Sequence, residues 1–300
     1  MKILNDVIMF VDTGIDDAVA LILSACDWRT KLKAIVACEG NSKIDDVVSK
    51  TYQVLDFIGK DIPVFKGLCG RISKTDFNVR GVHGGKGNLG GFDFPQTTKK
   101  PQSFSEFVEY FENLDRKVDV LCISPLSTLA KMIVKNPKVK EKICHVYFQG
   151  GLLEDPSYVG FNVAYDPGAV QVVLESGVKM MICPSDFGHK AFLTHEEVAK
   201  IGSLNKTGKM LEYIFRSFHD REVGDKGIAT HDGVVSFLVR HWGFFLMKKC
   251  HTYVEYNKDG NGILRFDFKG KPKNSRVCTA LYAPRFKRFL FRAVKKSNKK

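Results

Sequence analysis

The chain has 300 residues, 44% of them hydrophobic, and a formal net charge of +13. That length and apolar share supply a sizeable core for one large domain or two small ones, and no apolar run reaches the roughly 18 residues that a membrane-spanning helix needs. The charge is unevenly placed: after Asp267 there are twelve Lys and Arg and no acidic residue, and removing those twelve from the 46 leaves 34 basic against 33 acidic.

Taken in chain order, Val7–Asp12 reads as a strand, and a helix follows from Asp16 in the run DDAVALILSACDW, apolar at helical spacing. Gly14 suits a tight turn between them. Leu32–Cys38 reads as a strand, Ile44–Ile58 as a helix and Ile62–Phe65 as a short strand. The glycine-rich, polar stretch from Gly67 to Thr98 is a long connection of a kind that often carries function. Val118–Ile123 is a strand, followed by a helix with Pro125 in its first turn. Ile143–Phe148, a helix from Asp166 to Ser176, and Lys179–Cys183 continue the alternation. This βαβα order predicts an α/β fold: a Rossmann-like, mostly parallel sheet with helices on both faces. Near the end, Thr252–Tyr256, Gly262–Phe268 and Val277–Tyr282 read as closely spaced strands before a helix from Pro284. The expectation is a single domain over residues 1–300, with a small C-terminal β-rich elaboration and a basic, frayed tail at 295–300.

The eight cysteines stand singly with no CxxC pair, which favours reduced, buried thiols in a reducing cytosol over disulfides or a zinc site. The first residues do not line up a charged n-region, a long apolar h-region and a small-residue cleavage site, so an unexported, cytoplasmic chain is expected. The basic C-terminal end is read first as a solvated helix face. No aromatic stacking motif accompanies it, which argues against a nucleic-acid partner.

The chemistry concentrates at strand ends. Asp12 closes the first strand, and Asp16 and Asp17 follow within five residues. Carboxylates so close repel and raise one another's pKa. A helix N-terminus accounts for Asp16 and Asp17, worth roughly 0.3–1 kcal/mol each, but not for Asp12. Glu39-Gly40-Asn41, Ser124-Pro125, Gln149-Gly150-Gly151 and Pro184-Ser185-Asp186 follow later strands. In a parallel sheet these share the edge where ligands bind. His231 and Asp232 precede another helix-like run, where Asp232 alone would read as an N-cap. Together Asp12, Asp17, Asp232 and backbone carbonyls would make an oxygen-rich site suited to a hard cation, Ca²⁺ or Mg²⁺.

The segment VDTGIDDAVAL resembles the aspartate signature of the inosine–uridine-preferring nucleoside hydrolases. Further segments are similar in order: EGNSKIDDVVSKTYQVLDFIGKDIPVFKG, VHGGKGNLGG, SPLSTLA, GFNVAYDPGAV and ATHDG. The resemblance implies calcium-dependent hydrolysis of the N-glycosidic bond of ribonucleosides, giving ribose and free base. It implies Ca²⁺ held by Asp12, Asp17, Asp232 and the backbone carbonyl of Ile123, with Asp12 as general base. Asp16, Asn41 and Asn162 would hold ribose hydroxyls, His231 would act as leaving-group acid, and His83 and Phe161 would line the nucleoside site. A homodimer or homotetramer is the family's usual assembly.

The sequence departs from the family's pattern at Phe10 and Thr13 in the signature, at Gly233 after Asp232, and at Gly160, where the family has a glutamate for the ribose 5′-hydroxyl. Glu154 or Asp155 stands where an asparagine shares that task. Gly160 keeps open the alternative of a catalytically weakened ribose- or nucleoside-binding protein. Phosphoryl transfer on Mg²⁺ is disfavoured, because no second Asp follows Asp12 by two residues. His189 matches a family histidine but reads equally as structural, and His145, His195, His219, His241 and His251 read as surface or packed.

Overall fold

The first strand, β1 (Asp6–Val11), is buried from end to end, and its side chains alternate between two cores. Val7, Met9 and Val11 enter one, while Ile8 and Phe10 enter the other. A strand apolar on both faces belongs to a sheet covered by helices on both sides. The chain is seen in a computed structural model that describes residues 5–74, 77, 89–217 and 223–297.

After β1 come α1 (Ile15–Cys26), β2 (Lys31–Ala37), α2 (Ile44–Phe57) and β3 (Val64–Lys66). Beyond the long connection lie α3 (Phe104–Glu112), β4 (Val118–Cys122), α4 (Ser127–Lys135), β5 (Ile143–Gln149), α5 (Phe161–Tyr165), α6 (Pro167–Glu175) and β6 (Met180–Cys183). A helical stretch follows: α7 (Asp186–Lys190), β7 (Leu193–Thr194), α8 (His195–Gly202), α9 (Lys206–Arg216), β8 (Gly227–Ile228) and α10 (His231–Arg240). The described chain closes with β9 (Phe245–Tyr256), β10 (Gly262–Asp267), β11 (Ser275–Leu281) and α11 (Ala283–Lys296).

One sheet runs in the order β10-β9-β11-β6-β5-β4-β1-β2-β3, and β7 pairs with β8 apart from it. From β6 to β3 every pairing is parallel. The strand order reverses at β1, which lies between β2 and β4. In open α/β sheets such a switch point leaves a crevice beyond the carboxyl ends, where ligands bind. Residues of α1, α10 and α11 pack on the face that takes Val7, Met9 and Val11, and residues of α3, α4 and α6 cover the other.

The expected α/β architecture is present, with four differences in detail. The C-terminal strands are an extension of the main sheet: β11 pairs parallel with β6, and β9 and β10 add antiparallel beyond it. β9 starts seven residues before the expected Thr252. Its first half pairs with β11 and its second with β10, so burial changes along the strand and the period-two signal is broken. α4 begins at Ser127, so Pro125 sits ahead of the helix, where its missing N–H leaves no helical bond unmade. α11 runs through Lys295 and Lys296, and Ser297 is buried with its hydroxyl bonded to the Val294 carbonyl at 2.7 Å. The stretch expected to fray is therefore helical to that point, and 298–300 lie outside the described residues.

Candidate active site

β1 ends at Val11 and delivers Asp12, 1% exposed, to the switch point. The Cys38 and Ile123 amides bond to the Val11 and Phe10 carbonyls at 2.7 and 3.0 Å, which ties the three strand ends together. Asp12 Oδ2 accepts the Asn41 amide at 2.9 Å. Asp12 Oδ1 is buried with no hydrogen-bond partner among the described residues. The loop after β2 passes so close that a Cβ at Gly40 would stand 2.1 Å from Asp12 Oδ2, so this position requires glycine.

Asp17 is fully buried in the first turn of α1. Its carboxylate accepts the Gly14 amide at 2.8 Å, the Asp12 amide at 3.2 Å and the Asn41 side-chain amide at 3.5 Å. Asp232 arrives from far down the chain on α10. The helix starts at His231 with Thr230 as its N-cap, so Asp232 is not the cap that the sequence suggested. Its carboxylate points instead at α1, because the two helices pack closely: a Cβ at Gly233 would lie 2.9 Å from Val19 Cγ1. Oxygens of Asp16, Asp17 and Asp232 then all lie within 4.8 Å of one another. Asp16, expected on the ribose, thus stands within the tight carboxylate group, and Asp12 stands beside it.

The electrostatics of this group are unfavourable as they stand. Burial pushes Asp12 up to about 8, with the Asn41 amide opposing and the Asp16 charge adding. Burial also raises Asp17, helped by the Asp12 and Asp16 charges. Asp232 is raised by burial, by the Asp16, Asp17 and Asp12 charges, and by a hydrogen bond to the Asp16 carboxyl. The neighbouring charges that act on the three are carboxylates. A buried carboxylate oxygen with no donor costs on the order of 1–3 kcal/mol or more, and one cation among them would reverse the sign of every such interaction. The donors are all oxygens, which suits a hard cation.

The Ile123 carbonyl, at the end of β4, accepts the Asn162 side-chain amide at 3.2 Å and keeps a second lone pair. Asn162 lies on α5, 5% exposed, and also donates to the Gln149 carbonyl at 3.4 Å and to Gln149 Oε1 at 3.1 Å. Gln149 in turn donates to the Ser185 hydroxyl at 2.8 Å. Phe161, next to Asn162, packs against Phe77 and Tyr165 with ring centroids 6.2 and 5.8 Å apart. The His231 ring lies edge-on to His189, 5.0 Å between centroids. A Cβ at Gly188 would come within 2.2 Å of His231 Nδ1, so α7 can pass beneath that ring only with glycine there. His83 lies outside the described residues.

The profile of the family described as inosine-uridine preferring nucleoside hydrolase matches residues 7–288. The chain belongs to that family. It is 29% identical over 295 residues to a non-specific ribonucleoside hydrolase, RihC, of Escherichia coli O127:H6, covering 94% of this chain and 96% of the relative. A RihC of Escherichia fergusonii is 28% identical over 303 residues, covering 97% and 99%. Among solved structures, a purine-preferring ribonucleoside hydrolase from Gardnerella vaginalis superposes with a TM-score of 0.86 at 21% identity, covering 98% of this chain and 99% of that one. An inosine-guanosine nucleoside hydrolase superposes at 0.89 with 19% identity, covering 97% and 99%. These structures share the fold.

This nucleoside hydrolase departs from the family's pattern where the sequence indicated, and the structure shows what fills the gap. A Cβ at Gly160 would meet Tyr158 Cε1 at 3.0 Å, so the Tyr158 ring occupies the approach to that position. Asp155 turns to Ser157, accepting its amide and hydroxyl at 2.8 and 2.6 Å. Glu154 pairs with Lys190 at 2.7 Å. Gln149 and Gly188 were not given roles from the sequence. The polar ending of β5 was the only signal for Gln149, and nothing local marks Gly188. Four histidines beyond the site have packing or surface partners: His145 on Asp119, His195 on the Asp225 carbonyl, His251 on the Pro272 carbonyl, and His241 stacked on Phe237.

Proposed function

We propose that residues 1–300 act as one nucleoside hydrolase-like unit that cleaves the N-glycosidic bond of ribonucleosides, releasing ribose and free base, with Ca²⁺ as cofactor. The observation that carries the cofactor is Asp12 Oδ1, buried without a donor beside three more carboxylates. Asp12, Asp17 and Asp232 would hold the cation, with Asp16 at its edge and the free lone pair of the Ile123 carbonyl. When bound, such a cation lowers the pKa of a nearby water and gives vicinal hydroxyls a fixed point.

The chain's own groups then divide the reaction. Asp12 takes a proton from water as the water oxygen bonds to C1′, which is worth roughly 10²–10⁴-fold. Asn41 and Asn162, with Asp16, hold ribose hydroxyls and fix the sugar while positive charge grows at C1′, as in other glycoside cleavages. His231 gives a proton to the departing base nitrogen as the C1′–N bond breaks. Phe161 supplies an apolar wall, and His83 is kept as a residue near the base. The RihC relatives are non-specific ribonucleoside hydrolases, which supports a broad nucleoside range here.

Gly160 and its Tyr158 neighbour favour one second reading, a nucleoside binder with weakened turnover. A reducing-sugar assay over a panel of purine and pyrimidine ribonucleosides, with and without calcium, separates the two. Ribose release above the no-enzyme rate supports the hydrolase. Saturable binding without release supports the binder. A homodimer or homotetramer is part of the same proposal and is checked by light scattering. So is a cytoplasmic setting, in keeping with eight free thiols. No helix among the described residues is long and apolar enough to cross a membrane.

A further inference from the structure

The basic C-terminal helix does not point its cations at random. Arg285, Arg288, Arg292 and Lys296 fall on one face of α11 and line a concave pocket of about 240 Å³, together with Arg29 from the turn after α1. All five are exposed, and the four on α11 make no ion pair with a described residue. Four Trp and Phe rings line the pocket: Trp28, 77% exposed, with Phe244 and Phe289, and the buried Phe237 beneath. Arg29 lies over the Trp28 ring at 5.2 Å and Arg285 over Phe244 at 5.3 Å.

The pocket is remote from the carboxylate site. It sits at the C-terminal ends of α1 and α10, whose N-terminal ends carry Asp16, Asp17, His231 and Asp232. At 1.5 Å per residue, twelve- and ten-residue helices put it ~15–18 Å away. Those two helix ends also offer the bland explanation for the cations, since each carries roughly half a negative charge. With Asp27, the acidic lining residue, and the C-terminal end of α11 itself, the local negative charge comes to about two and a half, against five cations. About two and a half positive charges remain in excess. His241, its side chain 9% exposed, faces Asp27 at the same place, Nε2 to Oδ2 3.6 Å.

We propose that this pocket binds a nucleoside di- or triphosphate. Guanidinium groups pair with phosphate oxygens in forked hydrogen bonds, and the surplus of positive charge matches a polyphosphate better than a single carboxylate. The exposed Trp28 indole, with the half-buried Phe244 and Phe289 rings beside it, gives a base a stacking surface. The volume lies below the ~300 Å³ of common ligand pockets, which suits one ring with its phosphates on the open rim and not a polymer. The ligand would touch the far ends of both helices that present the carboxylates. This assignment is independent of the hydrolase reading.

Trp28 makes the test direct, because only one other tryptophan, Trp242, is present in the chain. The full-length protein is titrated with ATP, ADP, inorganic triphosphate and a single-stranded RNA bearing a 5′-hydroxyl, following tryptophan emission and heat. ATP and ADP are expected to quench emission saturably. In Arg288→Glu/Arg292→Glu their affinity is expected to fall by roughly tenfold or more, the loss of a charge-assisted hydrogen bond, with nucleoside kinetics unchanged. Arg288→Gln/Arg292→Gln should fall less. ATP binding untouched by the charge reversal would place the nucleotide elsewhere and overturn the proposal, as would no binding. Inorganic triphosphate binding as tightly as ATP would reduce the pocket to an anion site. RNA binding more tightly than ATP would make the face a nucleic-acid surface. Either result overturns the nucleotide assignment.

Discussion

The two ends of α1 and α10 are electrostatic opposites. Their N-termini gather Asp16, Asp17 and Asp232 beside Asp12, and the charges that act on these buried carboxylates are again carboxylates. Their C-termini meet four α11 cations that have no described ion-pair partner. Helix dipoles favour both arrangements, but at roughly half a charge per helix end they answer only a fraction of either. The acidic end is largely buried and short of hydrogen-bond donors, so a small hard cation would complete it. The basic end is exposed and lined with rings, so a larger anion suits it. Surplus charge points to a ligand in both places, and burial decides what size of ligand.

The sharpest way to break the acidic half of this comparison is Asp12→Asn. It keeps the shape and the Asn41 contact but removes the proposed base and one negative charge. Turnover is expected to fall by about 10²–10⁴-fold with the melting temperature preserved. Ribose release within a few-fold of the parent would remove Asp12 as base. His231→Ala should cost about 10²-fold on ordinary nucleosides and much less on a nitrophenyl riboside, whose leaving group needs no proton. Equal losses on both substrates would make His231 a binding or packing residue.

The pH dependence of stability follows from the same carboxylates. In chelated protein, burial holds Asp12 at about 8 against an ordinary 3.8, and Asp17 and Asp232 move the same way. The folded state then keeps protons that the unfolded state releases. The stability this contributes is full below about pH 4 and is lost as pH rises towards 8, by on the order of 1 kcal/mol per pH unit. Calcium binds the ionised form, so its stabilisation, about 2.7 kcal/mol at a hundred times its Kd, should be larger at pH 8 than at pH 5. Thermal melts at both pH values, with calcium and with chelator, check the sign. The smallest effect is expected at the other end of the chain. Removing 298–300 should leave nucleoside kinetics within about twofold, since α11 and the buried Ser297 stay in place. A folded truncation that loses turnover would connect that end to the site more closely than the helices suggest.

Much of the acidic site was legible in the sequence because it is built at strand ends. A strand that ends in Asp12 and a helix that starts with Asp16 and Asp17 fix those residues near the switch point once the sheet is parallel. Asp232 was legible as an oxygen ligand candidate that could equally have been an N-cap, because its position depends on how α10 docks on α1, some two hundred residues apart. The grouping of Asp16 with Asp17 and Asp232 depends on the same packing and has no local signal. Nor does the run from Ser185 through Gln149 and Asn162 to the Ile123 carbonyl, which joins four segments through side chains and ends on a backbone carbonyl. At the C-terminus, composition disclosed the surplus of cations but not their shared face, since that requires α11 to lie against the turn that carries Trp28 and Arg29.

Calcium stoichiometry tests the central claim most directly. The protein, purified without chelator, is analysed for its elements and compared with Asp232→Ala prepared in the same way. One calcium per parent chain is expected, with a clear loss in the variant. Zinc held by the thiols, or no divalent metal in the parent protein, would contradict the account.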